Sequence, residues 1–188
     1  MEIFPEPIKV EDGLYFGKKS HIKSDFLKSA NINVVINLTG FDVDSDPELR
    51  DAGSMILNIS LSDDELMTEE LEWGKRKIVN IVDKIRHYKS INGNIFVVCN
   101  TGVNKSPVVI GMYMSFIGID MCTVLTRIRE YGIAAGTNLL TNNSFKKILH
   151  DRKKPVPSCR CWEPFVYNYR SQENIEGGKN SIVMTLGD

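Results

Sequence analysis

One stretch of this sequence places a nucleophile, a glycine, a cation and a hydroxyl in immediate succession: Cys99-Asn100-Thr101-Gly102-Val103-Asn104-Lys105-Ser106. It follows the apolar run Asn94–Val98 and precedes a proline, Pro107, at a point where apolar residues begin to recur with helical spacing. A loop between a strand and a helix N-terminus gathers backbone N–H groups into a concave nest. The helix dipole adds positive potential there, so the site suits a phosphate or sulfate. A cysteine at the head of such a loop sits under the anion, with its thiolate stabilised by the same field. The expected phosphate-binding residues are therefore Cys99, Asn100, Thr101, Gly102, Val103, Asn104 and Lys105. Lys105 is expected to point back at the phosphate oxygens, and Ser106 to donate a hydrogen bond to the sulfur. The bland alternative makes Cys99 a structural core residue and Lys105 a surface cation. A nucleotide loop of the Walker type is excluded, because it needs glycine directly before the lysine and again five positions earlier. Those positions hold Asn104 and Cys99.

The flanking sequence supplies elements to hold the loop. Ile8–Gly17 reads as two short strands about Asp12-Gly13. Ser20–Ala30 is a polar stretch compatible with helix. Ile32–Leu38 is a β-branched run typical of a buried strand, Ser54–Leu61 is another apolar strand, and Asp42–Gly53 between them reads as an acidic surface loop. Thr68 opens a helix in which Leu71, Ile78, Ile81, Val82, Ile85 and Tyr88 recur on one face. Its first turn carries Glu69, Glu70 and Glu72, which suit the positive end of a helix dipole. Asn92-Gly93 is a turn. Ser106 and Pro107 read as the cap and first position of a helix that stops near Gly118. Cys122–Tyr131 is a second amphipathic helix, closed by Gly132. Thr141 or Asn142 caps a last helix, Ser144–Asp151. Strands alternating with helices predict an α/β fold: a mostly parallel, twisted central sheet flanked by helices. Ligands of such sheets bind at the carboxyl ends of strands, where residues 99–105 fall.

Composition narrows the function class. The 188 residues are 42% hydrophobic and 25% charged with a net charge of −1, an ordinary globular balance without the basic excess of a nucleic-acid binder. No apolar run approaches the roughly 20 residues of a membrane span, and no signal peptide is evident. Cys99, Cys122, Cys159 and Cys161 form no disulfide framework, which favours a reducing, cytoplasmic setting, with the nucleus also compatible. The triplet Cys159-Arg160-Cys161 lacks partners at zinc-ligand spacing among His21, His87 and His150, so no metal and no cofactor are expected. Residues 1–152 are read as one domain. Residues 153–188, with Pro155, Pro157, Pro164 and Gly177-Gly178, are read as an extended or partly disordered tail. The tail's Trp162, Phe165, Tyr167 and Tyr169 are expected to pack back on the domain rather than dock a partner.

From about Ile8 to Leu149 the sequence resembles the dual-specificity protein phosphatases, a branch of the protein tyrosine phosphatases that includes the poxvirus H1-like enzymes. The family loop is His-Cys-x-x-Gly-x-x-Arg-Ser, and residues 98–106 match it at Cys99, Gly102 and Ser106. Gly13-Leu14-Tyr15-Phe16-Gly17 is similar to the family's opening Gly-Leu-Tyr-x-Gly, and Val34–Thr39 to its first buried strand. Asn138 and Ser144-Phe145 fall near its Pro-Asn-x-Gly-Phe segment. Ile59–Asp64 is similar to the segment that delivers the general acid, a role the resemblance places on Asp63, with Asp64 as the neighbouring alternative. The implied reaction has two steps. The Cys99 thiolate attacks phosphorus while the aspartic acid protonates the leaving oxygen, and water then hydrolyses the phosphocysteine with the aspartate as base. The implied catalytic residues are Cys99, Asp63 and Ser106. The implied partners are phosphoproteins or phosphopeptides, and another phosphatase or a kinase-pathway protein is a further candidate. No nucleic acid and no membrane are implied.

The sequence departs from the family at three places. Lys105 stands where the family has arginine, replacing a bidentate fork by a point charge. Val98 stands where the family has the histidine that helps hold the thiolate network. Ile133-Ala134-Ala135-Gly136 stands where the family often carries basic residues. The expectation is a domain that keeps the anion-binding shape and binds phosphorylated Tyr, Ser or Thr proteins with impaired or absent catalysis, a pseudophosphatase. An active cysteine-dependent phosphatase and a scaffold with a vestigial loop are the alternatives.

Overall fold

Ile8–Glu11 (β1) and Leu14–Lys18 (β2) form an antiparallel hairpin whose turn uses Gly13 at φ +71°. The computed structural model describes residues 4–40, 47–61 and 68–150. The other strands are Val34–Asn37 (β3), Met55–Asn58 (β4) and Ile95–Cys99 (β5). They form a five-stranded sheet in the order β1-β2-β5-β3-β4, parallel at every pairing except the hairpin. All five residues of β5 are buried, as a central strand covered on both faces requires. Alternation sends Ile95, Val97 and Cys99 into the larger core, and Phe96 and Val98 into a smaller one with Ile22, Leu27 and Leu49.

The helices are Ser24–Ser29 (α1), Pro47–Ala52 (α2), Thr68–Ser90 (α3), Lys105–Phe116 (α4), Met121–Ala134 (α5) and Asn143–His150 (α6). A single 3-10 turn, Lys19–His21, joins β2 to the segment before α1. Every residue of α4 from Lys105 to Ser115 is buried. An all-round apolar helix has to be enclosed, and α4 packs on the sheet, α3, α5 and α6. Each fully buried aliphatic side chain there contributes about 1.5–3 kcal/mol relative to exposure. The helix that receives the loop is thus among the most firmly held parts of the molecule. The Tyr113 hydroxyl of α4 donates to Glu11 at 2.7 Å. Burial pushes that phenol well above the usual tyrosine range, and the bond to Glu11 adds to the shift.

The expected mixed sheet and flanking helices are present, and three local readings are corrected. Residues 47–52 of the expected acidic loop are helical. Pro47 opens α2 with its preset φ, Glu48 suits the first turn, and Gly53 leaves it at φ +69°. Leu49 is buried, the Ser24 N–H donates to Glu48 at 2.5 Å, and Lys28 pairs with Asp51 at 2.6 Å. The Lys28 and Ser24 hydrogen bonds hold the Asp51 carboxyl below its ordinary range. Residues 41–46 lie outside the described residues. Second, α5 does not end at Gly132. It runs to Ala134, with the left-handed exit at Gly136, φ +67°. Gly132 is there for space: a Cβ would stand 2.7 Å from the Thr137 carbonyl oxygen. Third, the Ser20–Ala30 stretch is divided into the 3-10 turn and the short α1. The last helix is capped by Asn142, whose Oδ1 accepts from the N–H groups of Ser144 and Phe145 at 2.8 and 3.3 Å.

Gly132→Ala separates these two roles of glycine. Helix propensity alone would stabilise the variant by about 1 kcal/mol. The backbone oxygen in the way reverses the sign, to a loss of about 1–3 kcal/mol in urea denaturation.

Candidate phosphate-binding site

The loop spans the gap between the carboxyl end of β5 and the first residue of α4. Cys99 is the last residue of β5, in register with Lys18 of β2, and is 1% exposed. Lys105 is the first residue of α4 and is 5% exposed. Between them Gly102 holds φ +74°, the left-handed conformation that glycine adopts without penalty.

Neighbours hold this loop chiefly by its carbonyls. The Asn100 carbonyl accepts from the Lys19 N–H at 3.3 Å, that of Val103 from Leu140 at 2.8 Å, and that of Asn104 from Val108 at 3.1 Å. Among the described residues, one N–H of Thr101–Asn104 has a protein partner: Val103, 3.4 Å from the Thr101 hydroxyl. Asn104 precedes α4 without capping it by its side chain. Its Oδ1 instead accepts from the Asn142 N–H at 2.9 Å and the Thr141 hydroxyl at 3.1 Å, tying the loop to the start of α6. The Asn100 amide reaches the Thr39 carbonyl at 3.5 Å after β3.

The proposed role of Ser106 as helix cap is corrected: it lies inside the first turn of α4, one residue after Lys105. Pro107 follows it, at a position whose N–H would lack an intrahelical partner in any case. Ser106 is fully buried, and its hydroxyl donates to the Gly17 carbonyl at 3.4 Å. In this arrangement the proton expected at the sulfur is directed to the backbone of β2. Val98 is wholly buried in the smaller core, where its carbonyl accepts from the Leu38 N–H at 2.8 Å. Its side chain contributes packing where the family's histidine would contribute a polar link. The structure therefore brings Cys99, the five loop residues, Lys105 and Ser106 together. Asp63 and Asp64 lie outside the described residues, as do residues 153–188 with Cys159 and Cys161.

A depression of about 570 Å³ adjoins the loop, lined by Lys19, Ser20, Ile22, Lys23, Glu48 and Asn100. Of these, sequence reading gave a role to Asn100 alone, since nothing in the polar stretch 19–23 showed that its backbone pairs with the loop. Nor did anything show Asn104 as a junction of loop and α6. Asn104→Ala leaves the Asn142 N–H without its acceptor. The expected cost is about 1–2 kcal/mol in chemical denaturation, with Asn104→Asp closer to the parent.

The sequence model for the dual specificity phosphatase catalytic domain matches residues 14–151. No curated protein matches the sequence. Among solved structures, DUSP15 superposes with a TM-score of 0.62 at 21% identity, covering 79% of this chain and 87% of that one. Human DUSP28 gives 0.61 at 15% identity, covering 77% and 94%. OH1 from the Orf virus, described as a tyrosine phosphatase with triple substrate specificity, gives 0.62 at 18% identity, covering 78% and 86%. These likenesses show the shared fold, and the domain match extends over most of the sequence. The chain belongs to the dual specificity phosphatase family.

Proposed function

We propose that this protein binds phosphorylated Tyr, Ser or Thr residues of other proteins in the Cys99–Lys105 loop and turns them over slowly or not at all. The observation that carries the reading is the way the loop is held. Its carbonyls are engaged by neighbours, while among the described residues the N–H groups of Thr101–Asn104 have one partner, the Thr101 hydroxyl facing Val103. Buried peptide N–H groups are nearly always paired, Gly102 of this loop is buried, and an oxyanion accepts several N–H groups at once. Lys105 supports the same ligand. It is a buried cation in the first turn of a helix, against the positive end of the dipole. An anion in the loop is favourable to both.

The weak turnover follows from three features. Lysine attracts phosphate as a point charge but lacks the planar fork that fits the equatorial oxygens of the flattening phosphoryl group. Arginines in that role are worth roughly 10³–10⁵ in rate. Ser106 is hydrogen-bonded away toward Gly17, and Val98 supplies no polar support. Binding depends on the ground state and rate on the transition state, so rate suffers more. The retained Cys99 favours a second reading, an active phosphatase with a phosphocysteine intermediate and Asp63 as general acid. A scaffold with a vestigial loop would show no Lys105-dependent binding of phosphate.

Wild type and Lys105→Arg are to be assayed together on a phosphotyrosine peptide. The expected result is slow or undetectable hydrolysis by wild type and a gain approaching roughly 10³ in kcat/KM on restoring the fork. Peptide affinity, measured in a Cys99→Ser background, should change by no more than about tenfold. Robust hydrolysis by wild type that Cys99→Ser abolishes would sink the proposal. A trapped phosphocysteine together with activity loss in Asp63→Asn would establish the second reading in its place.

A further inference from the structure

Residues 4–7, which lead into β1, belong to no helix or strand, yet Phe4 is one of the largest fully buried side chains, 1% exposed. Its backbone is left-handed, φ 60°, a conformation that a non-glycine residue keeps only where its surroundings impose it. Two hydrogen bonds do so. The Phe4 N–H donates to the Ala135 carbonyl at 2.8 Å, just past α5. The Phe4 carbonyl lies 2.8 Å from Nε2 of His21. Nδ1 of His21 faces the Lys18 N–H at 3.4 Å and acts as acceptor, so Nε2 carries the hydrogen and donates to Phe4. The Phe4 ring meets the rings of His21 and Phe16 edge-on, at centroid distances of 5.0 and 6.1 Å.

The other side of that ring faces the phosphate loop. A Cβ built on Gly102 would stand 2.1 Å from Phe4 Cε1 and 3.1 Å from the backbone carbon of Gly17. Gly102 is the softest point of the loop, because glycine has the widest choice of φ and ψ. Its N–H, if it serves a ligand, cannot also stiffen the loop. The ring of Phe4 and the backbone of β2 wedge this residue from behind.

We propose that Phe4 is a positioning residue of the phosphate loop, and that the segment before β1 is a strap holding Gly102 in its anion-binding curve. The inference rests on the phosphate-binding reading of the loop. Phe4 acts through Gly102 and does not itself touch the anion. The strap is fastened at Ala135 and His21, so the loop's shape depends on α5 and on the turn after β2.

The test uses the full chain as wild type, Phe4→Leu and Phe4→Ala, with orthovanadate as the probe. Affinity is read by titration calorimetry, mobility of the Gly102 and Val103 amides by NMR relaxation without ligand, and stability by urea denaturation. Phe4→Ala is expected to weaken vanadate binding by roughly ten- to a hundredfold at temperatures where it is fully folded. It should also raise the mobility of both amides, and Phe4→Leu should recover part of each effect. A fall in stability with affinity and amide mobility unchanged would reduce Phe4 to a core residue and overturn the proposal. Should Phe4→Ala not fold, Phe4→Leu carries the same comparison with smaller shifts. Should wild type bind no vanadate, the phosphate-binding reading fails on its own, and amide mobility alone decides whether Phe4 positions the loop.

Discussion

A loop that offers its N–H groups to an anion cannot also spend them on its own shape. That constraint organises the structure around residues 99–105. The loop borrows its rigidity from what surrounds it: a strand on one side, a buried helix on the other, and hydrogen bonds received at its carbonyls from Lys19, Leu140 and Val108. β5 is central and buried on both faces, and α4 is enclosed along almost its whole length. The two ends of the loop therefore have little freedom. The middle, at Gly102, is where added support matters, and there the Phe4 ring and the Gly17 backbone come closest.

The electrostatic arrangement repeats the division between shape and chemistry. The helix N-terminus, the nest of N–H groups and the buried Lys105 all provide positive potential. Of these, Lys105 supplies a point charge rather than a planar, bidentate contact. Family arginine makes that contact by its fork, and the lysine here keeps charge without it. The Gly17 carbonyl accepts from Ser106, so a hydroxyl suited to easing the departure of sulfur serves instead to brace the loop against β2.

The alternation of strands and helices, the strand at Asn94–Val98 and the loop at its carboxyl end were legible in the sequence. Each depends on local pattern: a β-branched run, a glycine, a helical period. The errors arose where a residue's reason is tertiary. Gly132 looks like a helix stop, but it is a contact between α5 and the Thr137 backbone. Residues 47–52 look like an acidic loop, but Leu49 has a core to enter and Glu48 and Asp51 find Ser24 and Lys28. Ser106 before Pro107 looks like a cap, but the helix begins two residues before Pro107, at Lys105, and the side chain of the cap residue Asn104 is bound to the start of α6 instead. Phe4 and His21 carried no signal, since single residues in irregular segments have no periodicity to betray their burial.

The supports of the loop come from widely separated parts of the chain: Phe4 and Lys19 near one end of the domain, Leu140 and Asn142 near the other, with the sheet between. No short stretch of the chain contains them all. Contacts of such sequence separation form late and together, because each requires closure of a long stretch of chain. The anion pocket is thus a product of completed folding, and partly folded chains should lack it. Any ligand that recognises the pocket selects the native state and adds its binding free energy to native stability alone.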